Sequence, residues 1–390
     1  MNPPSAPPIP FFTQASSFER CWPEISRHLN ALLDRGKYSH GRQVVELEGV
    51  LADYTGAAHV LAVNSGTDAL TLLLRAAGVR RGDEVVVPAF SFVATASSVS
   101  LALATPAFAD IDPESYALDP ESAEAAVTDR TAAIMPTHLF WQMADMTGIG
   151  EVAARHDLAL VEDSAEAIGM RWDGTHAGLL GKGGVLSFFP TKTLGALGDA
   201  GAILTNDPTV AELAGTLRHH GRMGRTTDHI AGISNLSGAS GTNSKMDDVQ
   251  ACVLMGKLPH LDDDIARRAQ LAEAYTERLS GVPGVLRLPS LAKREVRTDP
   301  VFYVYVIEVE RREELVGHLT RQGIGTEVYY PTPLHLQPCF AHLGHRRGDF
   351  PNAEAACERT LALPFHHDLD EDTVDRVCEA IRTFYAGSRA

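Results

Sequence analysis

The sequence predicts an α/β fold: a mainly parallel sheet sandwiched by helices, followed by a smaller α+β unit. Short apolar runs rich in β-branched residues alternate with helical periodicity from His59 to Lys257. Polar, glycine-bearing turns stand at the carboxyl ends of those runs, where open α/β sheets bind ligands. After Gly281-Val-Pro-Gly the alternation gives way to a different pattern.

The Pro-rich start heads a segment, residues 1–15, that is expected to be mobile. Apolar spacing predicts helices over Glu19–Leu33 and Val44–Tyr54. The apolar run from His59 enters Ser65-Gly66-Thr67-Asp68 and a helix begins at once. Glu84–Pro88, Pro106–Asp110, Ala132–Pro136 and Leu158–Glu162 read as further strands, with a helix from the Phe92 region to Leu103. Val185–Phe189 and Ala202–Thr205 flank a loop that contains Lys192, Gly195, Gly198 and Gly201. Val210–His220 is helical in pattern, and the aperiodic stretch from Gly224 to Ser244 reads as a long loop. Asn243 is expected to open a helix ending near Lys257, and Leu261–Leu279 is a second helix. This gives a large domain over 16–257 and a small one over 258–390. In the small domain Phe302–Val309 and Gly325–Tyr330 read as strands, and Glu313–Gln322 and Asp370–Phe384 as helices.

A chain of 390 residues that is 44% hydrophobic and 22% charged has the make-up of an ordinary globular protein. Its net charge of −16 argues against nucleic acid or an anionic membrane as the main partner. No apolar run approaches the ~18 residues of a membrane span. The start has neither the basic nor the apolar region of a secretory signal, so a cytoplasmic location is expected. Five scattered cysteines, in no metal spacing, read as reduced thiols.

Several residues could carry chemistry, and each has a plainer reading beside it. Lys192 lies between an apolar strand and a glycine-rich loop, where desolvation would make its amine a Schiff-base nucleophile; it reads as well as an exposed lysine on a connection. Ser65 to Thr67 opens a helix, and backbone N–H groups there can cradle a phosphate; the same residues serve as ordinary caps. Asp163 ends the buried strand Leu158–Glu162 and needs a partner, either a ligand cation or the turn at Ser164. Phe92 could stack on a flat ring or belong to the core.

Gly178-Leu-Leu-Gly-Lys hints at a phosphate-binding P-loop, yet His176 stands where that motif needs glycine and no Ser or Thr follows Lys182. Cys339, His342 and His345, with His366 and His367, fit no zinc spacing, so no metal is expected. No Gly-x-Gly-x-x-Gly follows the first strand, which argues against a nicotinamide dehydrogenase.

Ordered segments along the chain carry a resemblance: Asn64-Ser-Gly-Thr-Asp-Ala-Leu, Gly82-Asp-Glu-Val-Val-Val-Pro, Glu162-Asp-Ser-Ala-Glu-Ala and Ser187-Phe-Phe-Pro-Thr-Lys-Thr-Leu-Gly. Phe108-Ala-Asp-Ile-Asp-Pro, His138-Leu-Phe, Tyr330-Pro-Thr-Pro-Leu-His and Gly348-Asp-Phe-Pro-Asn-Ala-Glu extend it. From about residue 30 to 385 the chain resembles the nucleotide-sugar aminotransferases of the DegT/StrS type. These have the aspartate-aminotransferase-like fold type I and use pyridoxal 5′-phosphate (PLP). The resemblance implies that Lys192 forms the Schiff base and moves protons, and that Asp163 keeps the ring nitrogen protonated. Gly66, Thr67 and Ser187 would hold the phosphate, and Phe92 would stack on the ring. Asn243 would reach the cofactor phosphate of a neighbouring subunit, making a homodimer the minimal active unit. Glu166 stands near the ring's phenolic oxygen, where many relatives have glutamine. Tyr330 and Lys245 are the expected substrate contacts, with Lys245 in place of a commoner arginine. Trp141 and Met143 replace the usual Gly and Pro.

The implied reaction is amino transfer from L-glutamate or L-glutamine to a ketone on a nucleotide-linked deoxysugar, in secondary-metabolite or cell-surface sugar biosynthesis. A keto-cyclitol or another natural-product ketone is the alternative acceptor, and a non-catalytic regulator on the same fold the more distant one. Related sugar dehydratases carry histidine in place of the lysine, so Lys192 argues against that activity.

Overall fold

The structure, a computed structural model, describes residues 7–39, 41–222 and 236–387. Helices α1 (Ala15–Arg35) and α2 (Arg42–Thr55) come first, and each ends on a glycine, Gly36 and Gly56, in the left-handed region. Next come β1 (His59–Val63), α3 (Gly66–Ala76), β2 (Glu84–Pro88), α4 (Val93–Leu101) and β3 (Thr105–Ala109). The alternation continues through α5 (Pro120–Ala125), β4 (Thr131–Ile134), α6 (Met146–Arg155) and β5 (Ala159–Glu162). A two-residue hairpin, β6 (Arg171–Trp172) and β7 (Thr175–His176), precedes β8 (Gly183–Ser187), β9 (Gly201–Thr205), α7 (Pro208–Leu217) and α8 (Asp248–Lys257).

The main sheet has seven strands in the order β1-β9-β8-β5-β4-β2-β3. Its contacts from β8 through β3 are parallel, and β9 runs antiparallel to both β8 and β1. Strict alternation sends the two sides of each strand into different cores. Leu61, Val63, Val85, Val87, Val185 and Ile203 pack with α3, α4 and α7. Val60, Ala62, Leu186 and Leu204 pack with α2 and α8, while Val86 and Ile134 pack with α5 and α6. The parallel sheet is therefore covered on both faces.

The remainder comprises α9 (Leu261–Leu279), β10 (Val285–Arg287), β11 (Thr298–Asp299), β12 (Tyr305–Val309), α10 (Arg312–Arg321), α11 (Pro351–Arg359), β13 (Thr360–Leu363) and α12 (Glu371–Gly387). An antiparallel sheet in the order β10-β12-β13 buries Tyr305, Ile307, Leu361 and Leu363 against apolar residues of α9, α10 and α12. Strand β11 instead joins the β6–β7 hairpin. Of residues 1–15, residues 1–6 lie outside the described residues; Ile9 is buried, its N–H donating to Gly323 and its carbonyl accepting from Gly325.

Two expected elements differ. Asn243 does not open a helix: α8 begins at Asp248, and Asn243 and Lys245 pair instead with His219 and Val63. The backbone there is taken up by the end of β1, with Asn64 N–H donating to Ser244 O at 3.0 Å. Gly325–Tyr330 is not a strand. It pairs with the small sheet where Glu327 meets Ala362, the Tyr329 carbonyl accepts from Thr360 Oγ1 at 2.8 Å, and the segment carries Tyr329 and Tyr330 into a cavity. Most of the expected loop over 224–244, residues 224–235, lies outside the described residues.

Candidate active site

The carboxyl ends of β1, β2, β5 and β8 open onto a cavity of about 580 Å³. Gly66 and Thr67 line it from the first turn of α3, Phe92 from the N-cap of α4, and Asp163 and Glu166 from the turn after β5. Ser187, at the end of β8 and beside Gly66, Lys192, in the following loop, and Tyr330 complete the lining. All eight of these sequence-derived candidates meet at one place. Asn243 and Lys245 do not line this cavity; Asn243 is exposed and its side-chain oxygen accepts from the Lys245 ammonium.

The floor is built for close approach. Ser65 Oγ caps α3 by accepting from Asp68 N–H at 3.1 Å, which leaves the N–H groups of Gly66 and Thr67 without intrahelical acceptors. A Cβ on Gly66 would stand 3.0 Å from Ser187 Cβ, and one on Gly201 would stand 2.7 Å from the Ser65 carbonyl. Only glycine leaves this helix N-terminus open as an anion cradle.

Asp163 is buried, 4% exposed, and accepts from Thr95 Oγ1 at 2.7 Å and from Ala165 N–H at 3.4 Å. Burial raises its pKa, and the Thr95 and Ala165 hydrogen bonds and the Lys192 charge only partly offset that. The hydroxyl of Thr137, also lining the cavity, is buried without a hydrogen-bond partner. A carboxylate short of a cation and an unpaired hydroxyl on one wall fit a polar ligand that carries a protonated ring nitrogen.

Lys192 Nζ lies 3.0 Å from Glu166 Oε1 and 4.3 Å from the centroid of the Tyr303 ring. Glu166 Oε2 accepts from Phe140 N–H at 3.1 Å, so one carboxylate oxygen is anchored and the other faces the amine. Phe140 is a non-glycine residue with φ 64°, a conformation costing about 1–2 kcal/mol. Its ring packs near Phe90, Tyr116, Trp141 and Tyr330, and that packing holds it there. Burial pushes the phenols of Tyr303, Tyr329 and Tyr330 above their usual range, so all three stand neutral around the amine.

Behind the site Glu162 is wholly buried, and its carboxylate accepts from the N–H groups of Gly178 at 2.7 Å, Leu180 at 2.6 Å and Gly181 at 3.1 Å. The segment that looks like a P-loop is thus a cradle for an internal carboxylate. The same carboxylate lies 3.0 Å from His138 Nε2. Because His138 Nδ1 accepts from Ala144 N–H at 3.2 Å, Nε2 carries the proton and donates to Glu162. His138 N–H in turn donates to the Asp163 carbonyl, tying the network to the site.

Sequence reasoning missed Thr95, Thr137, Tyr303 and Tyr329. Thr137 lies just beyond the strand assigned over Ala132–Pro136, so position along the sheet could have found it, whereas Thr95 lies in the first turn of α4 and had no such signal. Tyr303 comes from the far side of the chain and had no local signal.

The DegT/DnrJ/EryC1/StrS aminotransferase family profile matches residues 21–382. The chain is 42% identical over 378 residues to a pleiotropic regulatory protein of Geobacillus stearothermophilus, covering 97% of this chain and 98% of the relative. It is 38% identical to the dTDP-3-amino-3,4,6-trideoxy-alpha-D-glucose transaminase of Streptomyces venezuelae, covering 96% of both chains. The crystal structure of S. venezuelae DesV in complex with a ketimine intermediate superposes with a TM-score of 0.90 at 38% identity, covering 97% of this chain and 99% of that one. With the lysine, the buried aspartate and the helix-end cradle in one cavity, the chain belongs to the DegT/DnrJ/EryC1/StrS aminotransferase family.

Proposed function

We propose that this aminotransferase moves an amino group from L-glutamate or L-glutamine to a keto group of a nucleotide-linked deoxysugar. The observation that carries this reading is the convergence of the Lys192 amine, the buried Asp163 carboxylate and the open N-terminus of α3 on one cavity. The cofactor is pyridoxal 5′-phosphate, which supplies an electron sink for the pair released when a proton leaves the carbon that bears the nitrogen. Gly66, Thr67 and Ser187 would hold its phosphate, Phe92 would cover its ring, and Asp163 would pair with its ring nitrogen. Lys192 would carry it covalently through its amine.

In both half-reactions one proton must travel between the two carbons that flank the transferred nitrogen. A single tethered amine, 15% exposed on a wall with Tyr303, Tyr329 and Tyr330, suits that task because few water molecules compete for the proton. Glu166 orients that amine through its Oε1 while Phe140 N–H fixes its Oε2. The transaminase from S. venezuelae supports a sugar-nucleotide acceptor, and Tyr330 and Lys245 are the residues assigned to meet it. We assign Asn243, exposed and away from its own chain's cavity, to the cofactor phosphate of a second copy, so that the active unit is a homodimer.

A regulator on the same fold is the second reading, favoured by the description of the Geobacillus relative. Absorbance separates the two. Purified protein mixed with PLP is expected to give a visible band that Lys192→Ala alters and that L-glutamate or L-glutamine bleaches. Keto-sugar and keto-cyclitol panels then identify the acceptor. A band that neither donor bleaches refutes the donor assignment, and the absence of any band refutes the enzyme reading.

A further inference from the structure

Tyr303 lies in the part of the chain that precedes β12, yet its ring faces the amine of Lys192. The ring is 4% exposed and its centroid is 4.3 Å from Nζ. At that distance an aromatic face attracts an ammonium group. Glu166 stands on the same amine at 3.0 Å. The amine therefore rests between a carboxylate and a ring face.

Four interactions hold the ring there. Tyr303 N–H donates to the Phe140 carbonyl at 2.8 Å. Its own carbonyl accepts from Nη1 of Arg268, a buried residue of α9, at 2.9 Å. Its hydroxyl lies 3.0 Å from Oγ1 of Thr191, the residue just before the lysine, and it also hydrogen-bonds Tyr329. Phe140 is shared by both sides of the amine: its N–H fixes Glu166 and its carbonyl fixes Tyr303. One left-handed residue thus sets the position of the carboxylate and the ring together.

We propose that Tyr303 and Glu166 form a resting place for the Lys192 amine in the parts of the cycle when that amine is not bonded to the cofactor. The lysine must leave the cofactor each time a substrate nitrogen takes its place, and must then stay within reach of the two carbons that flank that nitrogen. A flexible four-carbon side chain would otherwise sample many rotamers. The ring face supplies a non-covalent hold that neither hydrolyses nor competes as a base. The cycle follows from the proposed transamination, whereas the resting geometry is a property of the cofactor-free chain.

The test uses full-length, cofactor-free protein whose lysines are reductively methylated with ¹³C-formaldehyde. The Lys192 signal is identified by its absence in Lys192→Arg. A ring face over the nitrogen is expected to displace this signal upfield of the solvent-exposed lysines. Tyr303→Phe should keep the displacement, and Tyr303→Leu should return the signal to the exposed position. In turnover, Tyr303→Leu should lower kcat about tenfold with little change in KM, the size of a ~1.4 kcal/mol contact. A wild-type signal among the exposed lysines overturns the proposal even if Tyr303→Leu does not fold. So does a displacement that survives in folded Tyr303→Leu. Neither result depends on an acceptor or donor, so this failure is distinct from a failure of the transamination reading.

Discussion

Replacing Glu162 by alanine removes a wholly buried carboxylate from four donors: the N–H groups of Gly178, Leu180 and Gly181, and His138 Nε2–H. No described donor in this cradle has a second acceptor as close. Each orphaned group costs at least about 1 kcal/mol, so Glu162→Ala is expected to lose ~4 kcal/mol. At about 2.1 cal/mol/K per residue, the unfolding entropy of this 390-residue chain is roughly 0.8 kcal/mol/K. The loss then lowers the unfolding temperature by about 5 °C. Glu162→Gln keeps one acceptor oxygen but turns an amide toward backbone N–H groups, so it should fall between alanine and wild type. Thermal unfolding of the cofactor-free proteins, followed by circular dichroism, measures this. PLP retention should fall in parallel, because His138 N–H holds the Asp163 carbonyl at 3.0 Å. A Glu162→Ala protein that unfolds within about 1 °C of wild type would show that the carboxylate does not hold the cradle, and the reasoning would be wrong.

Two further outcomes follow from buried ionisable groups. Asp163 has its folded-state pKa raised by burial, so its ionisation destabilises the cofactor-free fold, and stability falls as pH rises through that pKa. Cofactor-free Asp163→Asn should therefore unfold at a higher temperature than wild type at pH 8, with the difference vanishing below about pH 4, where the carboxyl is neutral in both states; it should also lose amino transfer. An equal or lower unfolding temperature at pH 8 refutes this. Lys257 is buried with its pKa lowered to about 8 by desolvation, and it donates to the Gly195 carbonyl at 2.7 Å. Between pH 8 and about 10.5 the unfolded chain binds more protons there, so wild-type stability should rise relative to Lys257→Met by up to ~3 kcal/mol. A flat difference across that window, measured by denaturant titration, removes Lys257 as its source.

The sequence made the site legible wherever chemistry and local geometry share the same residues. Ser65-Gly66-Thr67 combines a strand end, a glycine and a cap within one turn, and Lys192 sits between two apolar strands. Asp163 follows a buried strand, and its local partner, the Ala165 N–H at 3.4 Å, is a neutral donor that leaves its charge unpaired. What stayed hidden depends on distant chain. Tyr303 reaches Lys192 only because the segment before β12 packs on the Phe140 turn, and no spacing encodes that. The helix placed at Asn243 failed because two readings compete there: Asn and Ser resemble caps, yet the end of β1 offers their backbone a pairing partner and Asp247 becomes the N-cap. Helix α5 was missed although Asp119-Pro120 is a helix-start signal, with a capping carboxylate followed by proline at the first turn.

The glycines at 178 and 181 show how one backbone device serves either stability or binding. Both this turn and the start of α3 present N–H groups to an anion. At Gly178–Gly181 the chain supplies its own, Glu162, and the result is a rigid wall. At Gly66–Thr67 no side chain among the described residues accepts from the N–H groups, and the cavity beyond carries the costs: a desolvated Asp163, an unpaired Thr137 hydroxyl and a left-handed Phe140. These costs are tolerable because the structure behind them is satisfied. Glu162 holds His138, His138 holds the Asp163 backbone, and the aromatic packing around Phe140 holds both Glu166 and Tyr303 against Lys192. Weakening the satisfied layer should therefore reach the cofactor before it reaches the fold. In Glu162→Ala the loss of PLP retention should appear at temperatures where circular dichroism still reports a folded chain.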